Sequence, residues 1–315
     1  MLRTYLDFAD HAARTGRKMK LTYFVLDVFT RDRLSGNPLA VVLKADELSS
    51  TRMQAIAREF NLSETVFVNA AKGERHTAAL RIFTPTSELP FAGHPTIGAA
   101  VLLGLQHKQS AVRLELGVGN VTAIMERIDK RTGEAKFALP QLPAATGKAV
   151  EIASVAKRLG LQDSDIGCDG MIPAQYSAGL PFYLVPVRDT RALEAIALER
   201  RGWADTFKGE RNSVYVFTKT PNERANDYAA RMFQVSHGAG EDAATGSAAA
   251  ALIGMLAEHG GYGDGHHAIA IRQGREIGRP SLIDLQFNIE GGQLRHSGIG
   301  GAAVVVAQGV LDFDD

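Results

Sequence analysis

Two stretches of this chain share one plan: polar residues at the mouth of a helix built from small apolar residues. The first is Phe91-Ala92-Gly93-His94-Pro95-Thr96-Ile97-Gly98, continuing through Ala99 and Ala100 to Leu103. The second is Gly240-Glu241-Asp242-Ala243-Ala244-Thr245-Gly246-Ser247, continuing through Ala248 to Met255. A helix N-terminus exposes unpaired backbone N–H groups and partial positive charge, so each mouth suits a substrate carboxylate. Sliding one stretch onto the other by 148 positions sets His94 over Asp242, Gly98 over Gly246 and Ala100 over Ala248. This repetition predicts two related lobes with one site between them.

The remaining pattern fills in the lobes. Strands are expected at Leu21–Phe29, Leu39–Leu43, Glu64–Val68, Ala78–Phe83, Val112–Leu116, Gly119–Glu126 and Ala135–Leu139. Ser49 is placed to cap a helix through Phe60, with Met53, Ile56, Ala57 and Phe60 at helical spacing. Pro140 and Pro143 mark a lobe boundary. Beyond it come a helix at Ile152–Leu159, a strand at Phe182–Val187 and a helix at Leu193–Arg200. Further strands follow at Ser213–Thr218, Tyr228–Phe233, Gln286–Ile289 and Val304–Gln308, with the capped helix from Thr245 among them. The division is 1–18 as a peripheral extension, 19–140 as the first lobe and 141–315 as the second. The last strand is allowed to pack back on the first lobe. The fold class expected is α/β in the broad sense, α+β in detail: two pseudo-symmetric lobes, each a curved, mostly antiparallel sheet around a central helix.

Composition narrows the function. Lys plus Arg equals Asp plus Glu at 35 each, so no electrostatic case exists for nucleic acid or an anionic membrane. No apolar run reaches the ~18 residues of a spanning helix, and residues 1–18 lack the apolar core of a secretory signal. The single cysteine, Cys168, rules out an internal disulfide and fits a cytoplasmic setting.

The block Asn61-Leu62-Ser63-Glu64-Thr65-Val66-Phe67, the Gly93-His94-Pro95 segment and Glu241-Asp242-Ala243-Ala244-Thr245-Gly246-Ser247 resemble the three signature blocks of the PhzF-like isomerases. That family has the diaminopimelate epimerase-like fold. The resemblance spans roughly residues 21 to 310, in the family's order, with one departure: Ala243 stands where the family usually has proline. It implies that Glu64 removes a proton from one carbon and returns it to another. It also implies that His94 and Asp242 form a polar pair across the cleft, holding an amino or hydroxyl group. A homodimer and the absence of any cofactor belong to the same expectation. The family's namesake isomerises a dihydro-hydroxyanthranilate. Diaminopimelate epimerase itself uses two cysteines at helix ends, and none stands there in this chain.

Each residue also has a plainer reading. Glu64 borders the apolar Val66-Phe67-Val68, where desolvation raises a carboxyl pKa as a general acid/base needs; otherwise it is a solvated loop glutamate. His94 is either a site residue or a satisfied core histidine, and Asp242 either a site residue or a helix-dipole acid, the role better suited to Glu241. Gly93, Gly246 and Ser247 suit substrate binding through backbone N–H groups, with Gly98 in a matching role. Arg279-Pro280-Ser281 after Gln273-Gly274 reads as a structural turn. His266 and His267 read as a surface turn rather than a metal site, and no metal is expected. The rival reading is a dinucleotide-dependent oxidoreductase, from Gly238-Ala239-Gly240-Glu241-Asp242-Ala243 after an apolar strand, with Glu258 downstream. A small-acid binding protein without catalysis is the third.

Overall fold

The computed structural model describes residues 18–147, 150–209, 212–220, 227–235 and 240–314. The expected extension at 1–18 therefore lies almost wholly outside the described residues, as does Gly238 of the dinucleotide-like turn.

The first lobe contains β1 (Lys18–Val28), β2 (Asn37–Val42), α1 (Ser50–Phe60), β3 (Glu64–Asn69), β4 (Ala78–Phe83), β5 (Glu88–Leu89), α2 (Gly93–His107), β6 (Ala111–Leu116), β7 (Gly119–Arg127) and β8 (Thr132–Ala138). The second begins with β9 (Ala144–Ala145), α3 (Ile152–Leu159), β10 (Ala174–Ser177), β11 (Pro181–Pro186), α4 (Thr190–Glu194) and α5 (Trp203–Thr206). It continues with β12 (Val214–Lys219), β13 (Tyr228–Gln234), β14 (Gly240–Asp242), α6 (Gly246–His259), β15 (Gly265–Gln273), β16 (Ser281–Glu290) and β17 (Gln293–Asp314).

Both lobes follow one strand plan. In the first, β2 runs parallel to β3, β3 antiparallel to β4, and β4 parallel to β6 across the α2 connection. In the second, β11 runs parallel to β12, β12 antiparallel to β13, and β13 parallel to β15 across α6. All other pairings between these strands are antiparallel. The long β17 ties the lobes together. Its first part pairs with β16 and β8, and its second part runs beside β1 from Ala303 to Asp314. The chain leaving β8 enters the second lobe as β9, which pairs with β10 through Ala144 and Ala145. The first lobe is thus a rolled sheet closed by β17, a strand from the second.

The central helices lie inside these rolls. Every residue of α2 from Gly93 to Leu105 is buried, and α6 is buried from Ala248 to Leu256. A helix that is apolar on all sides is stable only when covered on all sides, and the Gly and Ala positions let the surrounding sheet close tightly. One continuous apolar core holds both helices. The shorter helices pack outside. Ser49 caps α1, its Oγ accepting from the Arg52 N–H at 3.2 Å, and Met53, Ile56 and Ala57 of α1 pack on Phe67 and Phe83. Trp203, Val155 and Leu159 cover the outer face of β11 and β12. No helix among the described residues is long and apolar enough to cross a membrane.

Several expectations need correction. The α/β description gives the helices too much weight, because the molecule is sheet-rich, and α2 and α6 are the helices enclosed by the main core while the shorter ones pack outside the sheet. The helix expected at Leu193–Arg200 is the five-residue α4, capped by Asp189, whose Oδ1 accepts from the Ala192 N–H at 2.9 Å. After it, the Ala197 and Glu199 N–H groups donate to Leu159 and Arg158 carbonyls, so the backbone is tied to α3 and cannot continue as a helix. His266 and His267 lie in β15 rather than a turn, opposite Asn288 and Phe287. The ring of His267 packs against Tyr262 and Phe287. Among the described residues no group of three His, Cys, Asp or Glu side chains is placed to hold a metal.

Candidate active site

The two helix mouths meet. Gly93 and Gly246 are the first residues of α2 and α6, and each faces the other's backbone. A Cβ on Gly93 would lie 3.1 Å from the Gly246 carbonyl carbon and 3.3 Å from the Ser247 nitrogen. A Cβ on Gly246 would lie 3.2 Å from the His94 nitrogen. Neither helix is capped by a side chain: Ala92 has no cap to offer, and the Thr245 hydroxyl is turned to Asp242. The first-turn N–H groups have no carbonyl within their own helices, and two partial positive ends add at one place.

Glu64 reaches this junction from the start of β3. Its Oε2 lies 3.4 Å from His94 Nε2, and the two side chains are 17% and 5% exposed. The preceding residue, Ser63, donates from Oγ to Asp242 Oδ1 at 3.1 Å. Adjacent residues at one strand end thus touch both mouths. Burial pulls the His94 pKa down from 6.5 to about 3. His94 is therefore a neutral imidazole at neutral pH, and its contact with Glu64 is not an ion pair. Burial acts the other way on Asp242 and lifts its pKa; hydrogen bonds from Thr245, Ser63, Asn37 and the Ala243 backbone only partly offset this.

Asp242 is held by groups that the sequence reading did not place in the site. Asn37, fully buried, donates from Nδ2 to Asp242 Oδ1 at 3.0 Å and to the Ala244 carbonyl at 2.8 Å. The Thr245 hydroxyl donates to Asp242 Oδ2 at 2.6 Å. Gln273 accepts from the Thr245 N–H at 3.0 Å and donates to the Asp242 carbonyl at 2.9 Å. Glu241 is not a helix-dipole acid: its carboxylate takes a bidentate pair from Arg231 at 2.9 and 2.7 Å, which fastens β14 to β13. Arg279 braces a turn, donating to Asp27 at 2.6 Å and to the Gly36 carbonyl at 2.9 Å.

The repeat has a different register from the one expected. Aligning the helix starts pairs Gly93 with Gly246 and His94 with Ser247. Strand registers agree. Val66, Ile82 and Leu89 form a row across β3, β4 and β5; Tyr215, Met232 and Asp242 form the matching row across β12, β13 and β14. Each row ends four residues before its helix. Asp242 therefore corresponds to Leu89, not to His94, and Glu64 corresponds to Ser213. Gly98 lies mid-helix, where a Cβ would meet Leu39 Cδ2 at 2.5 Å, so it serves packing and not a ligand. The dinucleotide reading also fails here. The strand before the glycine-rich turn is followed by the antiparallel β14, and the helix starts only at Gly246.

The description of phenazine biosynthesis-like proteins matches residues 26–309. The chain is 40% identical over 296 residues to an uncharacterized isomerase of Mesorhizobium japonicum, covering 92% of this chain and 98% of that one. It is 36% identical over 291 residues to the trans-2,3-dihydro-3-hydroxyanthranilate isomerase of Pseudomonas chlororaphis, with the same coverage. In three dimensions it is similar to the PhzF-family protein of Bacillus anthracis, with a TM-score of 0.82 over 93% of this chain and 99% of that one at 23% identity. By sequence and by fold, the chain belongs to the phenazine biosynthesis-like (PhzC-PhzF) family and is an isomerase.

Proposed function

We propose that this isomerase moves a proton within a small unsaturated carboxylic acid, without a cofactor, using Glu64 as its one acid/base. The observation that carries the reading is the Ser63-Glu64 strand end, which touches His94 at one helix mouth and Asp242 at the other. The substrate carboxylate sits between the mouths, against the N–H groups of α2 and α6 near Gly93, Gly246 and Ser247. Asp242 and His94 face its amino or hydroxyl group.

The Glu64 carboxylate takes a proton from carbon, and the electron pair spreads into the adjoining double bond and carboxylate. The helix mouths stabilise that charge. Glu64, now protonated, returns the proton to another carbon of the same system. Between the two transfers the carboxyl proton of Glu64 exchanges with water, so the product keeps the substrate's composition while one carbon takes its hydrogen from solvent. The pseudo-symmetric mates of Glu64 and His94 are Ser213 and Ser247, hydroxyls that are not bases at neutral pH. One carboxylate then does both transfers, on one face of the substrate. The relative's name makes trans-2,3-dihydro-3-hydroxyanthranilate the first compound to test. The single cysteine supports a cytoplasmic setting, and the expected working form is a homodimer.

Proton NMR in deuterium oxide with amino and cyclohexadiene carboxylic acids tests the proposal. Solvent deuterium should enter one carbon of a substrate, and Glu64→Gln should keep the fold and slow this by at least about a hundredfold. Exchange at the wild-type rate in the variant would remove Glu64 from the role.

A further inference from the structure

Tyr215 is a buried polar residue that this mechanism leaves unused. Side chains alternate along β12. Val214 and Val216 join the outer core with Trp203 and Phe207, whereas Tyr215 and Phe217 face the inner core with α6. Tyr215 pairs directly with Met232, and Met232 with Asp242. Residues in register on antiparallel strands project to one face, so the Tyr215 ring points to the side of the sheet where Asp242 meets the helix mouths. The residue is 0% exposed, and its hydroxyl finds no hydrogen-bond partner among the described residues. Burial and the neighbouring Asp242 carboxylate both hold the phenol in its protonated form, with an O–H to donate. A buried hydroxyl without a partner carries its full desolvation penalty until something accepts from it.

We propose that Tyr215 is a specificity-determining residue, whose hydroxyl donates to a hydroxyl group that the substrate carries next to the amine drawn to Asp242. This rests on the reading of the site as a seat for an amino-bearing carboxylic acid. The two partners divide by hydrogen-bonding role. Asp242 offers carboxyl oxygens that accept from an amine; Tyr215 offers an O–H that suits a hydroxyl oxygen. A substrate lacking that hydroxyl would leave the tyrosine unpaired and so be disfavoured.

Calorimetric titration of the full chain with anthranilate and with 3-hydroxyanthranilate, flat relatives of the compound named above that differ by one hydroxyl, tests this. The wild type should bind 3-hydroxyanthranilate at least about tenfold more tightly. Tyr215→Phe should lose that preference, keep the anthranilate affinity, and melt no lower than wild type, because no internal hydrogen bond is removed. A preference that survives in Tyr215→Phe, no preference in the wild type, or a lowered melting temperature in the variant would each overturn the role of Tyr215 alone. Binding of neither compound by the wild type would overturn the substrate reading, and this inference with it.

Discussion

Neutrality of His94 has a measurable price in acid. The folded-state pKa of about 3 lies below the ordinary 6.5. Between those values an unfolded chain holds a proton on this imidazole and the folded chain does not. Stability from this group is therefore complete above pH 6.5 and is lost as the pH falls toward 3. Integrating the linkage for one group gives a loss of about 2 kcal/mol on going from about pH 8 to about pH 5. Asp242 works in the opposite sense: its folded pKa is raised, so its ionised form weakens the fold and protonation relieves this as the pH falls. A comparison of wild type with His94→Gln cancels that contribution. Urea unfolding at about pH 8 and about pH 5 should show wild type losing about 2 kcal/mol more than the variant. Equal losses, or a His94 imidazole that titrates by NMR near its ordinary value, would refute the assignment of a buried neutral histidine.

Two substitutions probe the junction itself. Gly93→Ala gains about 1 kcal/mol of helix propensity but forces a Cβ against the backbone of Gly246 and Ser247, an overpacking worth about 1–3 kcal/mol. Unfolding should show a net loss of about 0–2 kcal/mol, while deuterium incorporation into substrate drops at least about tenfold because the mouths are pushed apart. Asn37→Ala removes a buried donor from Asp242 and the Ala244 carbonyl, and should destabilise the protein by about 1–3 kcal/mol in urea unfolding.

Local pattern made much of this legible. Strand β4 and helix α3 run between the residues expected, because the alternation of Ala78, Leu80 and Ile82 in one and helical spacing in the other act within a few residues. The missed strand β15 opens with Gly265-His266-His267, which looks like a turn until Asn288 and Phe287 of β16 pair with it. Strand β17 was expected only at Val304–Gln308, because Gly298, Gly300 and Gly301 resemble breakers. They are instead places where the barrel leaves no room; a Cβ on Gly301 would meet Phe29 Cδ1 at 2.5 Å. In the site, Glu64, His94 and Asp242 stand in recognisable blocks, and the structure brings them together around one junction. Asn37 and Gln273 reach Asp242 from far along the chain, where no local pattern marks them. The repeat register slipped because a mid-helix packing glycine, Gly98, was matched to a helix-start glycine, Gly246.

The closure of the first roll by the chain's last strand bears on how the chain can be made. Residues near the start of β1 pair with residues near the end of β17, as Leu21 does with Leu311. During synthesis the first roll therefore waits, with β1 and β8 as open edges, until β17 has emerged. Such edges invite pairing with other chains, and such distant contacts slow folding. Neither half should be recoverable as a stable fragment, and the whole should melt in one step. A cut between the lobes would leave β1 and β8 in one piece and the β17 that pairs with both in the other.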